Sequence, residues 1–162
     1  MPPRGADDLL WTVPNVRPRR PSPALDADPE RLHGELHSAV VNVADMGRAL
    51  AFFAGAGGLE MLFDGEMSGD AIETMIGLPR GARLRLAFLA GADRAPARLE
   101  LMQFLGVPLE RRKRPVGLRG LVFASPEPEE TIRALSEAGG RQLGPGRVLG
   151  PEGIEIEVRV LA

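Results

Sequence analysis

Few residue types able to do covalent or metal chemistry occur in this sequence. It has no cysteine and no tyrosine, and its two histidines, His33 and His37, fall in one short segment. Disulfides, thiolate metal sites and thiol nucleophiles are therefore excluded, and a serine–histidine–carboxylate triad is poorly supported. What remains is general acid and base catalysis by carboxylates, which is favoured when a carboxyl group is held in a partly apolar pocket.

The two histidines stand at positions i and i+4, a spacing that places two imidazoles on one face of a helix for metal binding. Gly34 and the β-rich residues that follow disfavour a helix in this segment. We therefore assign no helical metal pair to them.

Glu100 lies between two leucines, in a segment where charged and apolar residues alternate. In a strand, this alternation places Arg98, Met102 and Phe104 on the same face as Glu100. Either the strand directs Glu100 into a pocket or the glutamate is exposed on an edge strand.

Two other segments alternate in the same way. In the first, Arg83 and Arg85 alternate with an apolar set that we expect to pack on a helix, which leaves the arginines for a cavity or for solvent. That apolar set is Leu84, Leu86 and Phe88. In the second, Glu155, Glu157 and Arg159 alternate with apolar residues, which fits either cavity carboxylates or an ordinary amphipathic strand. Arg85 and Arg98 could bind an anionic ligand or neutralise the glutamates.

Length and composition favour one domain with a tail. The chain has 162 residues and 44% hydrophobic content, which is enough for one core and short for two. The net charge of −2 and the few aromatic residues argue against a nucleic-acid partner. The sequence has no apolar run of about 18 residues, so we predict no membrane span. We interpret the basic residues 17–20 and 111–114 as solvated, and the cytoplasm as the compartment.

Residues 1–32 are rich in proline and have no clear period, so we expect an extended arm ahead of a domain formed by residues 33–162. Leu9, Leu10 and Trp11 are the exception within the arm. They could anchor it onto the domain or onto a second subunit, or they could belong to a loosely packed terminus.

The domain shows one pattern of elements twice. After a predicted strand at 36–43, Asp45 can cap a helix that Gly57 and Gly58 end, and strands follow at 59–63, 84–90 and 98–105. A strand at 118–124, a helix at 126–138 and short strands near 147–149 and 154–161 repeat this order.

The repeat also agrees in length. Ser38 to Gly58 and Gly120 to Gly140 both span 20 residues from a strand start to the glycine that closes the helix. The extra length of the first unit falls at residues 64–81, where we expect a loop or short helix over the mouth of a pocket.

Four segments, in order, resemble the vicinal-oxygen-chelate proteins, the superfamily of glyoxalase and bleomycin-resistance proteins. HSAVVNVADMGRALAFFAGAGGLE is similar to their opening, with Gly57 in place of the usual leucine. ARLELMQF is similar to the fourth strand of the first unit, GLRGLVFAS to the start of the second, and GPEGIEIEV to the closing strand.

The resemblance implies an α+β fold in which two βαβββ units, at about 33–106 and 116–162, form a curled mixed sheet around a cavity. It also implies ligands for a divalent metal on four strands. Such a metal binds two oxygens of the substrate and stabilises enolate-type negative charge, so the scaffold supports isomerase, lyase and oxygen chemistry.

The four family ligand positions match Ser38, Glu100, Gly120 and Glu157 of this sequence. Glycine cannot ligate, and Ser38 stands where the family has a ligand. His37, one residue away, should point to the opposite face unless a β-bulge turns it inward, while Ser38 and Asn42 face the cavity.

Two glutamates without imidazole make a poor site for zinc, nickel or iron. We therefore expect no cofactor; the alternative is a divalent metal ion held by His37, Glu100 and Glu157. If the two glutamates converge in a partly apolar pocket, repulsion and desolvation would raise at least one pKa.

Two functions remain open. The first is an isomerase-like or lyase-like enzyme that uses Glu100 and Glu157 as acid and base on a small carbonyl compound or acyl thioester. The second is a metal-free protein that sequesters a small molecule, as bleomycin-resistance proteins do; the scarcity of aromatic residues disfavours a stacking drug site.

The expected substrate contacts are Ser38, Asn42, Arg85, Arg98, Met102 and Phe104. We also expect a homodimer, since exposed sheet edges are commonly covered by association.

Overall fold

The structure of the chain is a computed structural model that describes residues 22–31, 36, 38–91, 98–107 and 118–161. The anchor proposed at residues 9–11, both histidines and the basic residues 111–114 lie outside this part, so the interpretations that concern them stay predictions. None of the described helices is long and apolar enough to span a bilayer.

The proline-rich segment ahead of the domain contains one short helix, α1 (Pro23–Ala27), where an extended arm was expected. Ser22 supplies the cap, because its Oγ accepts a hydrogen bond from the Leu25 amide at 3.3 Å. Pro23 stands in the first turn, where its missing N–H costs no helical hydrogen bond.

The first unit forms a four-stranded mixed sheet in the order β1-β4-β3-β2. β1 runs parallel to β4, and the remaining pairs are antiparallel. Its strands are β1 (Ser38–Asn42), β2 (Glu60–Ser68), β3 (Arg83–Ala90) and β4 (Arg98–Leu105), and its helices are α2 (Met46–Leu50), which continues as a π-helical segment (Ala51–Ala56), and α3 (Asp70–Ile76).

The second unit repeats this topology in the order β5-β8-β7-β6, again with the first strand parallel to the last. It consists of β5 (Gly120–Ser125), α4 (Pro128–Glu137), β6 (Arg141–Gly144), β7 (Arg147–Leu149) and β8 (Glu155–Val160). The predicted α+β fold with two βαβββ units is confirmed, and the two marks of the repeat, Ser38 and Gly120, are the first residues of β1 and β5.

Two elements differ from the sequence-based expectation. β2 continues to Ser68, beyond its predicted end at Phe63, because the polar residues that follow still pair with β3. The expected loop at 64–81 thus contains the end of β2 and α3. β6 was not predicted as a strand, since four residues ending in glycine carry little β signal.

Local sequence explains the first helical segment. The Asp45 Oδ1 accepts a hydrogen bond from the Arg48 amide at 3.0 Å and so caps α2. The segment ends at Gly57, where a Cβ would lie 2.5 Å from the Phe53 carbonyl oxygen, so only glycine fits there.

One core cluster joins the two units. Phe52 and Phe53 of the π-helical segment are fully buried and pack edge to face, with ring centroids 5.0 Å apart. The strands of both units and helix α4 contribute Val41, Ala87, Leu89, Leu99, Leu101, Phe123, Leu135, Val148, Ile156 and Val158. On both β4 and β8 these core residues alternate with the glutamates of interest, so Glu100 and Glu157 lie on the sheet faces that point away from this core.

Candidate functional site

Glu100 lies near the middle of one face of the first sheet. In the register of the strands it stands between Val40 of β1 and Phe88 of β3. We call this face the Glu100 face and define it by Ser38, Val40, Asn42, Phe88, Arg98, Glu100, Met102 and Phe104. Five of the six expected substrate contacts therefore share a face with Glu100: Ser38, Asn42, Arg98, Met102 and Phe104.

The Glu100 carboxyl is partly withdrawn from water. Burial raises its pKa, against the lowering influence of the nearby Arg98 charge and of a hydrogen bond with Ser38. A carboxyl group that is desolvated, near a cation and hydrogen-bonded to a hydroxyl can hold or release a proton closer to neutral pH than an exposed glutamate.

Aromatic side chains lie on the same side of the first sheet as this carboxyl. The Arg98 guanidinium lies over the Phe88 ring, 4.7 Å from its centroid, and the Phe63 and Phe88 rings are 5.8 Å apart. Of the six phenylalanines in the chain, Phe63, Phe88 and Phe104 belong to this side of the first sheet, and the other three are in the core. The scarcity of aromatic residues therefore does not extend to this face.

The expected orientation of β3 is wrong. Ala87 and Leu89 pack in the core, so Arg83 and Arg85 lie on the core side of the strand, whereas Leu84, Leu86 and Phe88 lie on the side of Glu100. The side of β3 that begins with two arginines also carries Ala87 and Leu89 of the core, so the alternation of polarity in the sequence indicates the wrong side. Sequence reasoning missed Phe88 for the same reason.

Arg85 consequently does not share a face with Glu100. Its Nε and Nη2 donate hydrogen bonds to the two carboxylate oxygens of Asp64 at 2.9 and 2.7 Å, and the hydrogen bond from Arg85 lowers the pKa of Asp64. The expected role of Arg85 in substrate binding has no geometric support from this register.

Glu157 lies on the corresponding face of the second sheet, between Val122 of β5 and Arg147 of β7. The Arg159 Nε donates a hydrogen bond to the Glu157 carboxylate at 2.7 Å, and this bond lowers the pKa of Glu157. Glu155 on the same face contacts Arg147. Glu157 is thus an exposed, ionised member of a charged surface.

The two glutamates belong to separate sheets, and no pairing between the described strands joins these sheets. One raised pKa was expected from the pair, and Glu100 has it, but the cause is burial rather than repulsion by Glu157.

The residues at the four family ligand positions do not fit a tightly bound transition metal. Glu100 has Arg98 beside it and Glu157 is bound by Arg159. A Cβ at Gly120 would lie 3.1 Å from the Glu155 carbonyl oxygen, so a side chain there requires the backbone to move. Across the described ranges, no three or more His, Cys, Asp or Glu residues are grouped as metal ligands would be, and His37 lies outside these ranges.

A cleft of about 760 Å³ runs beside the first turn of α4, apart from the Glu100 face. Its lining is Glu127, Pro128, Glu129, Glu130, Arg133 and Val160. A hydrogen bond with Glu130 raises the pKa of Glu127. Only acids, one arginine and two apolar residues line it, and we assign no site to this cleft.

No known family model matches the chain, and no curated protein matches it. Solved structures do. A glyoxalase family protein from Bacillus cereus has a TM-score of 0.69 and 20% identity over 80% of this chain and 95% of its own. The trypanothione-dependent glyoxalase I of Leishmania major has a TM-score of 0.55 and 16% identity, covering 79% and 87% of the two chains.

An antibiotic-binding protein, TnmS3 from a Streptomyces species, has a TM-score of 0.51 and 18% identity, covering 82% of this chain and 99% of its own. Similarity at this level of identity concerns the fold. Together with the two βαβββ units and their strand order, it establishes that this chain has the vicinal-oxygen-chelate fold of the glyoxalases.

Proposed function

We propose that the protein is an enzyme of isomerase or lyase type that acts on a small carbonyl compound or an acyl thioester, with Glu100 as the group that transfers a proton. The observation that carries this proposal is the placement of Glu100: a half-buried carboxyl with a raised pKa on a sheet face that it shares with Val40, Phe88, Met102 and Phe104. A general acid or base works best when its pKa is close to the working pH, and desolvation moves a glutamate in that direction.

The neighbours of Glu100 have complementary roles in this proposal. Ser38 holds the carboxyl by a hydrogen bond, and the Arg98 guanidinium over Phe88 offers a fixed positive charge. Such a charge stabilises the negative oxygen that develops when a proton is removed next to a carbonyl group. Asn42, Met102 and Phe104, on the same face, would contact the rest of the substrate.

Glu157 has a different role in this proposal. Since Arg159 lowers its pKa, it stays ionised and is suited to accept a proton or to hold a fixed negative charge rather than to donate a proton.

We propose that the working site forms in a homodimer. Val40 and Val122, which stand opposite the two glutamates, are 45% and 56% exposed, and a second copy would cover them and bring Glu100 of one chain towards Glu157 of the other.

Sequestration of a small molecule without turnover is the second candidate. The observation that favours it is the set of three phenylalanines on the side of the sheet that carries Glu100, which offers ring faces for stacking. The similarity of the fold to an antibiotic-binding protein agrees with this alternative.

Metabolites captured by the purified protein, followed by assay of each for turnover, test the two candidates. Glu100→Gln should reduce turnover by about 10²-fold or more if Glu100 transfers a proton, and Glu157→Gln tests the partner carboxylate in the same assay. Glu130→Gln, an exposed residue of α4, is the matched control and should keep full activity. Captured ligand that is never converted would favour sequestration, and full activity of Glu100→Gln would refute the proposed mechanism.

A further inference from the structure

The edge of the first sheet carries an exposed apolar surface that the proposed enzyme does not use and that shares only Phe63 with the sequestration alternative. It consists of side chains from β2 and α3, each at least 37% exposed, and we call it the β2–α3 surface: Met61, Leu62, Phe63, Met67 and Met75. Phe63 and Met67 stand on the side of Glu100 and Met61 on the other side of β2, so these side chains flank both sides of the edge strand. It contains three of the six methionines of the chain. Flexible methionine side chains are used at surfaces that bind apolar segments.

The same stretch is strongly acidic. Residues 60–79 contain five acidic residues and no lysine or arginine. Arg83 and Arg85 of β3 contact Glu66 and Asp64 from the neighbouring strand, and together with Arg80 they leave five acids against three arginines over residues 60–85. An apolar surface with this charge suits an apolar segment that carries positive charge.

The chain itself contains such a segment. Residues 1–21 include Leu9, Leu10 and Trp11, and they have four arginines against two aspartates. Three of those arginines lie at positions 17, 19 and 20. The composition of this arm therefore complements the β2–α3 surface in both apolar character and charge.

The arm is long relative to the domain that it precedes. It joins the described part of the chain at Ser22, a buried residue that caps α1. Ser22 lies eleven positions after Trp11, and an extended chain of that length spans about 35 Å, comparable with the width of a domain of this size. Attachment at Ser22 also gives the arm a high effective concentration at the surface of its own domain.

We infer that residues 1–21 bind the β2–α3 surface of the same chain, with Trp11 and its two leucines against the exposed methionines and with the arginines facing the acids of β2 and α3. Bound in this way, the arm would cover the edge strand β2, whose unpaired backbone groups otherwise offer a template for association with other chains.

Trp11 is the only tryptophan, so intrinsic fluorescence reports on the arm directly. We expect the full chain to emit at shorter wavelength than a synthetic peptide of residues 1–21. We also expect acrylamide to quench the fluorescence of the full chain at least about twofold less strongly than that of the peptide. In Met67→Ser/Met75→Ser, emission and quenching should move to the values of the peptide. Leu143→Ser/Val160→Ser removes two exposed apolar side chains from the second sheet and should leave both unchanged.

A second variant tests the inference even if the surface variant misfolds. Arg17→Glu/Arg19→Glu/Arg20→Glu changes only the arm and should release Trp11 while circular dichroism and the melting temperature of the domain stay the same. If wild-type Trp11 is quenched as strongly as the free peptide, or if neither variant changes the quenching, the inference is wrong. Emission that depends on protein concentration would assign the arm to a second copy and overturn binding within the chain.

Discussion

Glu100 and Glu157 occupy equivalent positions in the two sheets, each opposite a valine on the parallel neighbouring strand: Val40 for Glu100 and Val122 for Glu157. Their surroundings nevertheless shift their pKa values in opposite directions. Burial raises the pKa of Glu100, whereas the hydrogen bond from Arg159 lowers that of Glu157. The duplicated fold thus places one carboxyl suited to carry a proton and one suited to stay charged at matching positions.

The first prediction concerns stability and pH. Since burial raises the pKa of Glu100 above its usual value of 4.5, the folded chain binds this proton more tightly than the unfolded chain. The resulting stabilisation is complete below that value and is lost as the pH rises through the raised pKa of the folded state. Glu100→Gln is neutral throughout and should therefore melt at a higher temperature than the wild type at pH 7, with little difference below pH 4.

Glu157→Gln is the matched comparison and should behave in the opposite sense. A lowered pKa contributes stability above the usual value, and that stability is lost in acid. Because Glu157 is exposed, we expect at most a small decrease of the melting temperature at pH 7. Thermal unfolding followed by circular dichroism at both pH values measures the two effects, and a lower melting temperature of Glu100→Gln at pH 7 would contradict the desolvation of Glu100.

The second prediction isolates Arg98. Its charge lowers the pKa of Glu100 against the effect of burial, so Arg98→Met should raise the pKa of the Glu100 carboxyl further. Carboxyl NMR titration of the folded protein measures this directly, and the acidic limb of any activity profile should move to higher pH with it. Arg83→Met, which breaks an ion pair with Glu66, is the control and should leave the Glu100 titration in place.

The sequence was sufficient to predict the topology because its signals are local. Asp45 marks the helix start, Gly57 marks its end, and the shared spacing locates the strand starts at Ser38 and Gly120. The two sides of β3 could not be predicted in this way, because the side that carries two arginines also carries Ala87 and Leu89 of the core. Leu84 and Leu89 are equally buried on opposite sides of the strand.

The opposite pKa shifts of the two glutamates could not be predicted from the sequence, because they depend on contacts that form only in the fold. Nothing in the sequence distinguishes the surroundings of Glu100 from those of Glu157, since each is flanked by apolar residues and has an arginine two positions away. The difference arises in the fold, where Arg98 lies over the Phe88 ring while Arg159 binds the Glu157 carboxylate.

The third prediction tests the packing around Gly140, which follows α4. A Cβ on Gly140 would lie 2.4 Å from a Val148 methyl carbon and 2.7 Å from the Leu135 carbonyl oxygen, so Gly140→Ala should lower the free energy of unfolding by about 1–3 kcal/mol. Gly55→Ala is the control. It meets no heavy atom within 4 Å and lies in a helical segment, so it should be neutral or stabilising by up to about 1 kcal/mol. Urea unfolding compares the two, and equal stabilities would contradict the packing at Gly140.

The fourth prediction concerns association. If a second copy covers the faces that carry the two glutamates, Val40→Asp and Val122→Asp should each convert a dimer into a monomer, because a buried unpaired charge is costly. Val160→Asp places the same charge on a side chain that is 72% exposed and should leave the mass unchanged. Light scattering at micromolar concentration gives the mass, and a monomeric wild-type protein would contradict the proposed composite site.

The last prediction is that the purified protein, made without a metal-binding tag, carries no stoichiometric zinc, nickel, iron or manganese. Ser38 and Gly120 stand at ligand positions of the family, and the two glutamates at the remaining positions each have an arginine beside them, whose charge opposes that of a cation. Chelators should therefore leave ligand binding or turnover unchanged, and Glu100→Gln should have the same metal content as the wild type. Elemental analysis measures that content. One equivalent of metal, lost in Glu100→Gln, would show that another residue completes the site. His37 is the first candidate, because a bulge ahead of Ser38 would turn its imidazole to the side of Glu100.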